Sequence, residues 1–165
     1  ASETTAANIA AVGNLRYDPF AMLPFCGYNM GDYFAHWLSM GDRLGAKAPR
    51  LFRVNWFRRG REGQWLWPGF GENSRVLKWM CERVDGTAGA APSPAGNVPT
   101  PEALDLDGLD LPAADLRELL AIDVAAWREE LPGVGQHFAR FGARLPGRLE
   151  AQLEALAARL AGERA

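Results

Sequence analysis

The stretch from Asn55 to Arg75, NWFRRGREGQWLWPGFGENSR, crowds Trp56, Phe57, Trp65, Trp67 and Phe70 into one short segment. Two roughly parallel rings around a slot, with an amide at its edge, can hold a purine. Stacking contributes about 1–3 kcal/mol per base and does not tell bases apart. Discrimination needs hydrogen bonds at the base edge, because a buried polar group left unpaired is costly. Asn73 follows Gly71 and Glu72 at the mouth of a helix, where its amide can donate and accept at once. Gly69 and Gly71 flank Phe70 and permit an unusual turn that brings backbone close to a ligand. The plain alternative is that the rings form a hydrophobic core beneath a hairpin. Against it, alternation puts Phe57 on the polar side of its strand.

Other candidates for chemistry are weaker. His36 lies in an aromatic helix face and reads as a hydrogen-bonded structural histidine, and His137 reads as solvated. Cys26 and Cys81 read as buried packing residues and not as nucleophiles. The alternating LDLDGLDL of Leu104 to Leu111 resembles a calcium loop only superficially, since it lacks the EF-hand spacing and terminal glutamate. The chain has no G-x-x-x-x-G-K-[ST] loop, no G-x-G-x-x-G and no H-E-x-x-H. It offers a base pocket and a flexible loop, without its own phosphate cradle, metal cage or catalytic triad.

The elements that must position these residues follow from periodicity. Residues 1–16 are small and polar and read as a frayed terminus or a mobile loop. Asn29 is a candidate N-cap for a helix carrying Tyr33, Phe34, Trp37, Leu38 and Met40, ended between Gly45 and Pro49. Arg50 to Phe57 alternates as a strand with Phe52, Val54 and Trp56 on its apolar face. A turn over residues 58–63 returns it through Gln64 to Trp67 as a hairpin. A helix opens at Glu72-Asn73-Ser74 with Val76, Leu77, Met80 and Val84 as its apolar positions. Thr87 to Pro101 is rich in Ala, Gly and Pro and reads as a loop. Pro112 starts a helical remainder that Pro132-Gly133 must kink or split, and Pro146 starts a last helix with Leu149, Leu153, Leu156 and Leu160 on one face. The expected architecture is mixed α/β and helix-rich, with a short antiparallel hairpin and a helical C-terminal third.

Composition bounds the rest. The 165 residues are 48% hydrophobic and 23% charged, enough for one globular core. A formal net charge of -2 advertises no nucleic acid or anionic membrane as partner. Two cysteines make no disulfide framework, so a reducing compartment is the default. No apolar run approaches the roughly 20 residues of a spanning helix. No secretion signal opens the chain, and the expected location is the cytoplasm. The chain begins at Ala1 without an initiator Met, which reads as a processed N-terminus or a piece of a longer protein.

The segments DPFAMLPFCGYNMGDYFAHWLSM, VNWFR and LWPGFGENSRVLKWM resemble the C-terminal portion of GTP-dependent phosphoenolpyruvate carboxykinases, and the likeness continues through VPTPEALDLDGLDL to Ala165. The resemblance implies an enzyme of gluconeogenesis, a lyase converting oxaloacetate and GTP to phosphoenolpyruvate, GDP and carbon dioxide. Manganese would sit at its catalytic centre and magnesium would accompany the nucleotide. The resemblance places the guanine slot at Trp56, Phe57, Trp65 and Phe70, with Gly71, Glu72 and Asn73 at the base edge. Many family members have Phe at the Trp65 position. Residues 1–16 become a partial omega-loop lid, with Ser2, Glu3, Thr4, Thr5, Ala6 and Ala7 as its motif. Residues 17–165 become the C-terminal part of the nucleotide-binding domain. Here Asn8, Ile9, Ala10 and Asn14 stand where smaller residues and often a lysine are expected in the lid.

The phosphate loop, the metal ligands and the arginines that hold substrate carboxylates would belong to the family's upstream portion. The resemblance thus implies a monomer when complete, and no activity for this chain alone. A freestanding, non-catalytic module binding nucleotide or a protein partner is the alternative of a different class.

Overall fold

The computed structural model describes residues 25–162. Along them run α1 (Met30–Leu44), α2 (Asn73–Asp85), β1 (Ala91–Ser93), β2 (Gly96–Val98), α3 (Ala113–Leu120), α4 (Val124–Ala139) and α5 (Gly147–Ala161), joined by short 3₁₀ turns. The helix-rich architecture with one antiparallel hairpin agrees with the expectation, although the hairpin lies elsewhere in the chain. The described residues divide into two units, residues 25–48 with 125–162, and Pro49–Val124.

In the first unit Asn29 caps α1 as its sequence position predicts. Its Oδ1 accepts from the Gly31 N–H at 2.8 Å, satisfying one of the helix's unpaired donors. Its Nδ2 donates to the Phe141 carbonyl at 3.1 Å, so the same side chain fixes both the start of α1 and its neighbour. A β-carbon at Gly31 would collide with the Arg144 carbonyl, which makes glycine a requirement of this approach. Phe34 meets Phe141 edge-on at 5.2 Å, and Met30, Phe141 and Leu160 are buried. Arg144–Asp32 (2.7 Å) and Arg148–Asp42 (2.8 Å) add exposed ion pairs of small individual weight.

Pro132 does not split its helix. Residues 124–139 run through it as α4, with the ladder bond of the missing Pro132 N–H given up. The break falls earlier, at Ala121, whose N–H closes on Arg117 and Glu118 carbonyls while its own ψ of 140° is extended.

In the second unit the core is Trp79, Leu104 and Leu116, with Met80, Leu106, Leu111 and Leu120 packed against it. Trp79 donates its indole N–H to the Gly89 carbonyl at 3.1 Å and meets Phe52 edge-on at 6.0 Å. Sequence periodicity put Leu77 and Val84 on the core face of α2, yet both are exposed. The buried stripe runs through Trp79 instead, whose larger apolar area decides which face turns inward. Gly86 ends α2 in the left-handed conformation, its N–H on the Glu82 carbonyl.

The strand predicted from Arg50 to Phe57 is not formed, and its hairpin with Gln64 to Trp67 is reduced to a single antiparallel bridge between Arg59 and Trp65. Asn55 explains this. Its Oδ1 takes the Phe57 N–H at 3.0 Å, turning the backbone where a ladder would need it extended. The regular hairpin lies inside the stretch read as a loop, where β1 and β2 pair Ala91 with Val98, Pro92 with Asn97 and Ser93 with Gly96. Each strand is three residues long, too short to show an alternating pattern.

Candidate functional site

The aromatic segment is held by arginines from within the Pro49–Val124 unit. Gly60 donates to the Gln64 carbonyl at 2.9 Å and Leu66 to the Arg58 carbonyl at 3.1 Å, closing a narrow turn. Arg58 reaches the C-terminal end of α3, donating to the Leu119 and Ala121 carbonyls at 2.8 and 3.0 Å. A cation at a helix C-terminus meets both the unpaired carbonyls and the negative end of the dipole. Arg59 lies over the Trp65 ring, 3.7 Å from its centroid, and donates to the Gly63 carbonyl at 2.7 Å.

Phe57 and Trp65 are brought together, with ring centroids 5.9 Å apart. Their planes are tilted by 66°, so the two parallel walls expected from the sequence are not formed by this pair. Both rings face solvent: Phe57 is 74% and Trp65 51% exposed. Trp56 is half-buried. Leu66 and Trp67, by contrast, are core, with Trp67 only 4% exposed.

Beyond Trp67 the chain makes an uncommon turn. Gly69 has φ 81° and ψ -167°, a region open essentially to glycine alone. Phe70 follows at φ 41°, the one non-glycine residue with positive φ among the described residues, and its side chain stands 97% exposed. Residues Phe70–Glu72 form a 3₁₀ turn leading into α2. Ser74 donates its hydroxyl to the Gly71 carbonyl at 2.7 Å.

Asn73 is oriented by Trp67. The indole N–H donates to Asn73 Oδ1 at 2.9 Å. Indole can only donate, so the amide must turn its oxygen to Trp67 and its NH₂ the other way.

Beside this turn is an open depression of about 690 Å³ lined by Gly71, Glu72, Ser74, Arg75, Lys78, Asp105 and Asp107. Arg75 pairs with Glu72 and donates to the Asp105 carbonyl at 2.7 Å, and Lys78 pairs with the Asp105 carboxylate at 2.8 Å. The Lys78 hydrogen bond holds the Asp105 carboxyl below its usual range, and the same bond raises the Lys78 ammonium. The hydrogen bond to Glu72 likewise raises the Arg75 guanidinium.

The other candidate residues change character. His137, expected to be solvated, is buried, with its ring 5.1 Å from that of Phe141. His36, expected to be a structural histidine, is exposed. Cys81 is exposed and Cys26 half-buried, so neither is the buried packing residue expected. Among the described residues no group of three or more His, Cys, Asp or Glu side chains is placed to hold a metal ion. No helix among them is long and apolar enough to cross a membrane. Ser2, Glu3, Thr4, Thr5, Ala6 and Ala7, with the rest of the expected lid at 1–16, lie outside the described residues.

Sequence reasoning missed Arg58, Arg59, Arg75 and Asp105. The signal was present in part, since an Arg-Arg pair directly following Phe57 places cations within reach of the neighbouring rings.

Comparison with known proteins bears on this arrangement. A family model described as the phosphoenolpyruvate carboxykinase C-terminal P-loop domain matches residues 1–159. The phosphoenolpyruvate carboxykinase [GTP] of Neocallimastix frontalis is 56% identical over 162 residues, covering 97% of this chain and 26% of that protein. Those of Paenarthrobacter aurescens and of the Nichols strain of Treponema pallidum are 49% and 48% identical, covering 96% and 98% of this chain and 26% of each relative. The chain spans about a quarter of the length of the curated relatives it matches.

Proposed function

The chain belongs to the GTP-dependent phosphoenolpyruvate carboxykinase family, and from that premise we propose that it supplies the guanine pocket and part of the lid of such an enzyme. The complete reaction would convert oxaloacetate and GTP to phosphoenolpyruvate, GDP and carbon dioxide, in a cytoplasmic, gluconeogenic setting. Cleavage of the carboxylate from oxaloacetate leaves an enolate. Its oxygen takes the γ-phosphoryl group and GDP departs.

This chain's part is recognition of the base. Phe57, Trp65 and Phe70 offer exposed rings for stacking, with Trp56 adjacent, and Gly71, Glu72 and Asn73 meet the base edge. The observation that carries this reading is the Trp67–Asn73 hydrogen bond at 2.9 Å. It leaves the Asn73 NH₂ as the end offered to a ligand. That donor suits the O6 acceptor of guanine and meets the N6 donor of adenine unfavourably.

Manganese would be held by residues outside this chain, and magnesium would accompany the nucleotide. The phosphate loop would likewise belong to the upstream portion of the complete enzyme. Residues 1–16 would cover the bound substrate, excluding water from the enolate, and residues 17–165 would be the C-terminal part of the nucleotide-binding domain.

In the complete carboxykinase carrying this segment, Phe57→Ala is expected to raise KM for GTP by about tenfold, within the range of a lost stacking contact, with KM for oxaloacetate unchanged. An unchanged KM for GTP with lowered thermal stability would make the ring a packing residue and defeat the proposal. The 165-residue chain alone is expected to give no turnover in a coupled assay with oxaloacetate, GTP and manganese.

A further inference from the structure

The turn that presents Phe70, Glu72 and Asn73 begins in a conformation that side chains rarely adopt, so something outside it must hold it there. Ser74 and Trp67 supply two local bonds. The third restraint reaches across 30 residues of sequence to LDLDGLDL. Arg75, one helical turn past Glu72, pairs with that carboxylate through Nε and donates through Nη1 to the Asp105 carbonyl at 2.7 Å. Its side chain is only 20% exposed, against 53% or more for the other cations in ion pairs. Arg75 holds two partners at once, so the turn and the Asp105 loop are tied through a single guanidinium.

Asp105 is itself fixed twice. Lys78 holds its carboxylate at 2.8 Å, and the preceding residue, Leu104, is buried in the cluster with Trp79 and Leu116. A continuous path of contacts therefore runs from the core through Leu104, Asp105 and Arg75 to Glu72, between Phe70 and Asn73.

We infer that Arg75 is a positioning residue for nucleotide recognition, holding the Phe70–Glu72 turn against the Asp105 loop so that ring and amide face the base together. The LDLDGLDL segment thereby acts as an anchor for the base-edge turn. This role depends on the guanine assignment above, and Arg75 itself need not touch the nucleotide.

The test uses the complete carboxykinase, with Arg75→Ala, Arg75→Lys and Phe57→Ala compared. Arg75→Ala is expected to raise KM for GTP by about fivefold to tenfold and to lower the preference for GTP over ATP by a similar factor, the scale of one lost hydrogen bond. The kcat and the KM for oxaloacetate stay within about twofold. Arg75→Lys restores the charge beside Glu72 without the fork, so at least half of the loss persists. It also decides the matter on the same readout if Arg75→Ala does not fold.

Two results overturn the inference. A KM for GTP near wild type in the Arg75 variants, with that of Phe57→Ala raised, removes Arg75 from recognition and leaves the pocket standing. An unchanged KM in all three variants brings down the guanine assignment, and the positioning role with it.

Discussion

Trp67 and Asn73 are joined by a 2.9 Å hydrogen bond from a buried indole to a half-buried amide. The bond links a buried ring of the Pro49–Val124 unit to the end of the turn that carries the exposed Phe70. Trp67 is thus a core residue that sets the orientation of the amide proposed to meet the base, and the two roles separate experimentally.

Trp67→Phe keeps most of the packing and removes the donor. Asn73 is then free to present either end of its amide. The preference for GTP over ATP, measured as a ratio of kcat/KM in the complete enzyme, is expected to fall about tenfold, the scale of one hydrogen bond to a base edge. A lower melting temperature with an unchanged ratio would reduce Trp67 to packing alone.

Gly69→Ala tests the turn. At φ 81° and ψ -167° a β-carbon strains the backbone even though the space around it is open. The expected cost is about 1–3 kcal/mol, read as a melting temperature lower by several degrees, together with a raised KM for GTP. Wild-type stability would show that the turn adopts another conformation.

The Asp105–Lys78 pair makes a pH prediction. The Asp105 carboxyl is lowered by the Lys78 hydrogen bond, so its contribution to stability is present above the unfolded carboxylate value near 4 and is lost as pH falls through the folded value. The Lys78 ammonium is raised by the same bond. Its contribution is present below the unfolded value near 10.5 and lost as pH rises through the folded one. Asp105→Asn is therefore expected to melt slightly below wild type between about pH 5 and 9, and to converge with it as pH falls from about 4 through the lowered Asp105 value. Curves that stay parallel into acid would show that the carboxylate contributes nothing. The difference is small, since both partners are substantially exposed.

Much of the fold was readable because local chemistry sets it. Asn29 and Gly45 bound α1 through their own cap bonds, and Pro146 precedes the first residue of α5. The hairpin was misplaced because Phe52, Val54 and Trp56 alternate correctly while Asn55 diverts the backbone, and alternation carries no record of such a bond. His137 was misplaced because its burial comes from Phe141, on a turn beyond its own helix.

The candidate rings were legible as residue types, and the exposure of Phe57 was foreshadowed by its place in the alternation. Which ring is core and which is surface was not legible. Trp65 and Trp67 are two positions apart, yet one lies under Arg59 and the other inside the unit. Arg59 meets Trp65 and Gly63 a few residues away, whereas Arg58 and Arg75 reach carbonyls 30 to 63 residues distant, a separation that no sequence window spans.

The most direct test is a crystal structure of the complete carboxykinase carrying this segment, with GDP bound. The account predicts the purine lying against the rings of Phe57 and Phe70, with its O6 edge toward the Asn73 amide. A purine bound away from both rings, with Asn73 still engaged only by Trp67, would contradict it.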